Sequence, residues 1–502
     1  ENTNQSSYIA PSIIETALNA GTNVTIKTTG PAAAPTPNET QIRVAENITK
    51  SAGGAATLRL VAHGNVEVDA GVTVKATAGQ LNLDFQSGHS FDNSVASTSG
   101  GTVKLGSGAS LGSNGGNISL KGAGGNAGNG VDMTDPVVNA GAGQLDIVGT
   151  SSSGMGVQIV KFTGTPVLTG GLVTIDGSTG TGSQGVWIDR STVNASNGLT
   201  VQSLNSRVLI SGSTLTASGG NLLLKSRGSS DGAAPTSRSL TLKDSSSLAA
   251  VVQNTGAGSV TLDAELTSHT ASFGTPSAML LTNSTVSSAG GAVSLTGITG
   301  SSGYVEGTTG VLLDTGARVT SSGAISVTGT AGNTAYANSR GIQTNAGSTI
   351  VSSGGSVTLS GTLNNPSAAN GTGLLVNGTV QSSGLMQLTG ATTVGIASAT
   401  GLDIGSTASL QAGAGGLTAS ASVSSSGTAT ALVATAVAGS VSSSGNISIS
   451  GAVSAPSAAG ATGVSLSGGS VAGTGGATLT ITGSGVQVPA APPPPAPYYD
   501  VN

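Results

Sequence analysis

Residues 351–361 read VSSGGSVTLSG, and how this phrase is read decides the fold. Close variants stand at 287–297 (SSAGGAVSLTG), 321–329 (SSGAISVTG), 382–390 (SSGLMQLTG) and 442–451 (SSSGNISISG). Aligned on their last apolar residue, Leu295, Val327, Leu359 and Leu388 lie 32, 32 and 29 positions apart. Within each copy apolar residues alternate with Ser, Thr or Gln. Period two marks a strand with one face buried.

A second motif, Gly-apolar-x-apolar, falls between the copies. It reads GVDM (130–133), GVQI (156–159), GVWI (185–188), GVLL (310–313), GLLV (373–376), GLDI (401–404) and GVSL (463–466), with GIQT (341–344) as a weaker copy. A third short run follows it, such as ARVTSS (317–322) or STIVSS (348–353). One unit is therefore three short strands divided by Gly-rich or Ser-rich corners. Alone it cannot bury its apolar face, but stacked on a neighbour it can.

The expected fold is all-β: a parallel β-helix solenoid, right-handed by the general preference for parallel crossovers, with three strands per coil of about 30 residues. About fifteen coils at about 4.8 Å each would make a rod about 70–80 Å long. The runs TLRL, NVEV, QLNLDF, TVKL and NISL within 54–122 predict smaller early coils. Glycines are expected where corners need positive φ or close backbone approach, and Ser and Thr on the wet outside.

The sequence divides into three parts. Residues 1–50 are an N-terminal segment leading into the solenoid. Within it SIIETALNAG (12–21) predicts a short helix, with Ser12 and Glu15 in a capping-box pattern and Gly21 as its stop. A Pro-rich insertion follows at 31–39. Residues 51–487 are continuous β-helix. Residues 488–502, VPAAPPPPAPYYDVN, are a Pro-rich tail, expected as extended polyproline acting as linker or terminator.

Composition narrows the function. Charged residues are 7%, aromatics 2%, the net charge is −5 and there is no cysteine, against about 25% charged residues in an average soluble domain. No cationic stripe exists to release counterions from nucleic acid. No apolar run is long enough for a transmembrane helix. The lack of a signal peptide reads as a mature form, a fragment or a cytoplasmic chain. Acidic residues are scattered: from 290 to 499 the charged residues are Glu306, Asp314, Arg318, Arg340 and Asp403. The histidines, His63, His89 and His269, are far apart. Clustered acid–base groups and metal-ligand spacings are missing, so the reading is no enzyme, no cofactor and no metal site.

Contact residues are sought where the pattern breaks. The middle residue of Gly-apolar-x-apolar should face outward. It is Asp132, Gln158, Asp403 or Ser465 in some coils, but Trp187, Leu312 and Leu375 in others. Trp187 suits an anchor for a partner or a sugar ring; a loop folded over it is the competing expectation. Tyr304 and Tyr336 each stand seven residues after a strand-ending glycine, Gly297 and Gly329, and Phe273 and His269 occupy the same loop one coil earlier. These aromatics would form a strip for stacking on sugars, or would pack the loops.

IETALNAGTNVTIKTTG (14–30), ITKSAGGAATLRLVAHGNVEV (48–68) and AGQLNLDF (78–85) resemble segments that follow the secretion domain in two-partner secretion exoproteins, the filamentous haemagglutinin and high-molecular-weight adhesin group. The resemblance covers about residues 8–122; beyond that it is one of style. It implies export through an outer-membrane transporter of the two-partner type and a secreted or cell-surface location on a Gram-negative bacterium. It also implies adhesion to host cells, surfaces or other bacteria through a host-cell or glycan receptor, or self-association. The Asn-Pro-Asn type motif of that secretion domain is missing; NNPS (364–367) does not supply it. The chain thus resembles a region downstream of the part that engages the transporter. Two other functions fit the sequence: a filament or extracellular-matrix subunit stacking end to end, and a passive stalk of a larger exoprotein.

Overall fold

A computed structural model describes residues 7–28, 41–88, 100–125, 128–180, 184–229, 238–268, 276–300, 307–332, 337–364, 370–394, 398–425, 431–454 and 460–485. Alternation has the expected result. Leu295, Val327, Leu359 and Leu388 pair in register on successive coils, and each is fully buried. The chain is a parallel β-helix with three faces. Among the described residues, Gly-apolar-x-apolar strands make the first face, a 15-stranded parallel sheet running in chain order from Ile42–Val44 to Thr462–Leu466. The other two strands of each coil share a sheet of 30 strands among the described residues. Val167–Thr179 and Thr192–Ser203 run through the corner between the second and third faces, joining them into that one sheet.

The ladder starts before residue 51, since Val24–Lys27 already pairs with Leu58–Val61. Coil length varies. It is 25 residues from Leu58 to Leu83, 23 from Leu199 to Leu222 and 38 from Leu222 to Val260.

The helix spans Pro11–Asn19, and the expected capping box does not form. Pro11 takes the first helical position, so the N-cap is Ala10 and Ser12 lies inside the helix. Glu15 instead accepts the Thr49 N–H at 2.7 Å, and Asn19 Oδ1 accepts the N–H groups of Ser51 and Ala52. Gly21 ends the turn with φ +75°. Ile14 and Leu18 pack onto the core. The helix therefore covers the outer edge of strand Ile48–Lys50, which would otherwise offer unpaired donors.

Each corner has its own chemistry. Between the first and second faces, positive φ is used, as at Gly316 and Gly347. Between the third and first faces the need is space. A Cβ on Gly361 would sit 2.1 Å from the Gly373 carbonyl oxygen, and Gly297 meets Gly310, and Gly329 meets Gly341, in the same way. The glycine ending one motif and the glycine opening the next thus lie against each other, and no side chain fits between them.

The corner between the second and third faces holds a buried serine column, contrary to the expectation that serines lie outside. Ser288, Ser321, Ser352, Ser382 and Ser443 are buried. Ser352 Oγ donates to the Gly323 carbonyl of the preceding coil at 2.7 Å and accepts the Gly355 N–H at 2.9 Å. Ser288 and Ser321 donate to Gly258 and Gly291 likewise. Each hydroxyl ties one coil to the previous one, and those of Ser288, Ser321, Ser352 and Ser443 also accept a corner amide. In the first coil this position is Lys50, fully buried, whose Nζ donates to the carbonyls of Ala52 and Ala78 at 2.7 Å and Gly53 at 3.3 Å.

Candidate functional site

The outward column of the first face runs, coil by coil, through Arg43, Glu67, Lys104, Asp132, Gln158, Trp187, Leu209, Thr241, Leu280, Leu312, Gln343, Leu375 and Asp403. Its first four members alternate in sign, and Lys104 reaches Glu67 at 2.8 Å. Arg43 forks onto Asp69 with two 2.7 Å bonds. Elsewhere Arg59 pairs with Asp84, and Arg227 with Asp263 and Glu265. These carboxylates are engaged by cations on neighbouring coils.

Leu312 and Leu375 point outward by register, as read from the sequence, but they are only 8% and 9% exposed. As free contact residues they are therefore corrected: alternation dictates direction and says nothing about what lies above the sheet. Phe273, Tyr304 and Tyr336, with His269, lie outside the described residues. Trp187 is described, and its indole is half-buried. Its Nε1–H donates to Ser211 Oγ at 3.3 Å, so the ring leans along the next coil toward the corner.

That corner carries a chain of side-chain hydrogen bonds that ends in an ion pair between Asp189 and Arg190. Ser211 Oγ donates in turn to Asp189 Oδ1 at 2.6 Å, and Arg190 Nε donates to Asp189 Oδ2 at 2.7 Å. Burial pushes the Asp189 carboxyl upward, but hydrogen bonds from Ser211, Arg190 and Ser245 outweigh it and hold its pKa below the usual value. Arg190 Nη2 donates to the Lys161 carbonyl of the preceding coil at 2.9 Å. Next to Lys161 stands Phe162, with its ring 75% exposed.

The Phe162 turn is held by a second buried carboxylate. Asp135 accepts the backbone N–H groups of Phe162 and Thr163 at 2.8 and 2.9 Å and the Ser107 hydroxyl at 3.0 Å. Burial raises its pKa, but these donors and the Gly164 N–H win and bring it down to about 2. The sign follows: the stabilisation is complete above the unfolded carboxyl pKa of about 4 and is lost as pH falls through the folded value. Asp135→Asn is expected to cost about 2 kcal/mol at neutral pH and to flatten the loss of stability between pH 4 and 2. Hydrogen exchange of the Phe162–Gly164 amides against pH checks this; an unchanged profile would show that the carboxylate charge is not what holds the turn.

Phe162 belongs neither to the strand motifs nor to the loops after SLTG. The available signal was KFTGTP (161–166), an insertion that breaks the short turn seen at the same corner in the next two coils. Among the described residues no group of three or more His, Asp or Glu converges as a metal site. No helix among them is long and apolar enough to cross a membrane. Comparison with known proteins yields no matching family model and no matching curated protein.

Proposed function

We propose that the chain is a non-catalytic, adhesin-like rod of an exported bacterial exoprotein, which binds host cells, surfaces or other bacteria. The observation that carries this reading is the contrast between a uniform Ser/Thr-clad solenoid and one corner where an exposed phenyl, a half-buried indole and an arginine are each held by buried carboxylates. Many of the described acidic groups, among them Glu67, Asp69, Asp84, Asp135, Asp189, Asp263 and Glu265, are engaged in ion pairs or turns, which favours binding over catalysis. Two-partner export and a Gram-negative surface belong to the same proposal and rest on the resemblance over residues 8–122.

A filament subunit is the second reading. It is favoured by the last described coil, where Leu466, Leu479 and Ile481 are 53%, 44% and 41% exposed although they continue inward columns or their edges. The opposite end weighs against head-to-tail stacking, because the helix already occupies the edge amides of residues 49, 51 and 52. Electron microscopy at rising concentration is expected to show separate short rods. Labelled rods are expected to bind cell surfaces saturably. Long regular fibres would favour the filament, and rods that bind no surface would favour a passive stalk.

A further inference from the structure

We infer that the corner bearing Phe162, Trp187 and Arg190 binds an anionic glycan, a chain of sugar rings carrying carboxylates. This deepens the adhesin reading and rests on it. Strain points here first. Asp135 and Arg190 are non-glycine residues with φ of +46° and +47°, two coils apart on this corner with the Phe162 turn between them. Left-handed backbone costs such residues about 1 kcal/mol each and persists where the surroundings enforce it. Here the enforced result is display: the Phe162 amide is tied to Asp135 while its ring projects into solvent.

Preorganisation extends to the neighbours. The Trp187 N–H is committed to Ser211 and, through it, to Asp189. Arg190 is pinned through Nε and Nη2, and a Cβ on Gly212 would lie 3.1 Å from Arg190 Cγ, so the bare glycine gives its stem room to lie flat. Aromatic faces of this kind stack on the C–H faces of sugar rings.

Charge selects the ligand class. Asp135 and Asp189 are buried and engaged. Lys161 and Lys243, at the same corner one coil before and two coils after Arg190, remain at the surface, with Asp244 as the partly exposed acid beside them. Arg190 keeps its Nη1 donors free of any partner among the described residues, and guanidinium donors match carboxylates in geometry and charge. From the Phe162 coil to the Lys243 coil is three steps, about 15 Å, the reach of a short oligosaccharide.

Trp187 is the single tryptophan of the chain, so its fluorescence reports on this corner alone. The full chain should be titrated with oligogalacturonate, and with a cello-oligosaccharide as the neutral control. Expected results are a saturable change in Trp187 emission with the uronate, weakened by salt, and no response to the neutral chain. Phe162→Ala, at an exposed site that leaves the fold intact by circular dichroism, should weaken binding at least tenfold, and Arg190→Lys should do the same. The inference is overturned if calorimetry finds no uronate binding at millimolar concentration, if Phe162→Ala binds unchanged, or if the neutral chain binds equally well. Rods that still bind cells after such a failure would leave the adhesin reading standing and remove only this site.

Discussion

Gly361→Val is expected to open one coil from its neighbour, at a cost of about 3 kcal/mol. The expected readout is roughly hundredfold faster hydrogen exchange in strands Val357–Asn364 and Gly371–Val376. The cause is spatial. A Cβ at Gly361 would lie 2.1 Å from the Gly373 oxygen, 2.7 Å from its carbonyl carbon and 3.0 Å from Leu374 Cα. All three are backbone, so no side chain can swing away. The pinch opens by a methyl where both partners differ: Ala264 and Ala278 occupy it in one coil, and Ser226 and Ser239 in another. Valine at one position has no such compensation. Gly54→Ala is the control, because a Cβ there meets nothing within 4 Å and φ is not left-handed; it should change stability by less than about 0.5 kcal/mol. Equal effects from both substitutions would sink the close-approach explanation.

Lys50→Ala is expected to loosen the first coils by about 4 kcal/mol. The side chain is fully buried, and among the described residues its Nζ meets carbonyl oxygens and no carboxylate. Its ammonium instead gathers the carbonyls of Ala52, Gly53 and Ala78 beneath the end of the helix. Truncation leaves both a cavity and three acceptors without a donor, and buried acceptors without donors are costly. Lys50→Met keeps most of the volume and loses only the donors, so it should cost about half as much. Protease cleavage and amide exchange within 41–62 measure both. If Lys50→Ala leaves this region as protected as before, the ammonium is not what closes the corner.

The architecture was legible because the inward positions are repetitive. Val357 and Leu359 are identified by alternation alone, and both are fully buried. Corners were legible as glycine but not as to cause: nothing in the letters separates Gly316, which needs left-handed φ, from Gly361, which needs room. Ser352 was misplaced because serine is polar, although a hydroxyl that both donates and accepts is suited to a tight corner. Leu312 and Leu375 were misjudged because burial of an outward residue depends on coverage from elsewhere in the chain. Trp187 was found, but its tether to Ser211 was not, since register brings together residues 24 positions apart. Phe162 was passed over because its turn is held by Asp135 from the coil before, a partnership that spacing alone does not reveal.

The alternating column Arg43, Glu67, Lys104, Asp132 has a further consequence, for how the chain finds its own alignment. A slip by one whole coil would set Arg43 beside Lys104 and Glu67 beside Asp132, and like charges directly opposite are unfavourable. Farther along, the same slip is almost silent. Ser294, Ser326, Thr358, Gln387, Thr418 and Ser448 follow one another down the third face, and exchanging one for the next changes little. The later windings therefore carry no address of their own. They inherit their place from the charged beginning, as rows of knitting take their count from the cast-on edge.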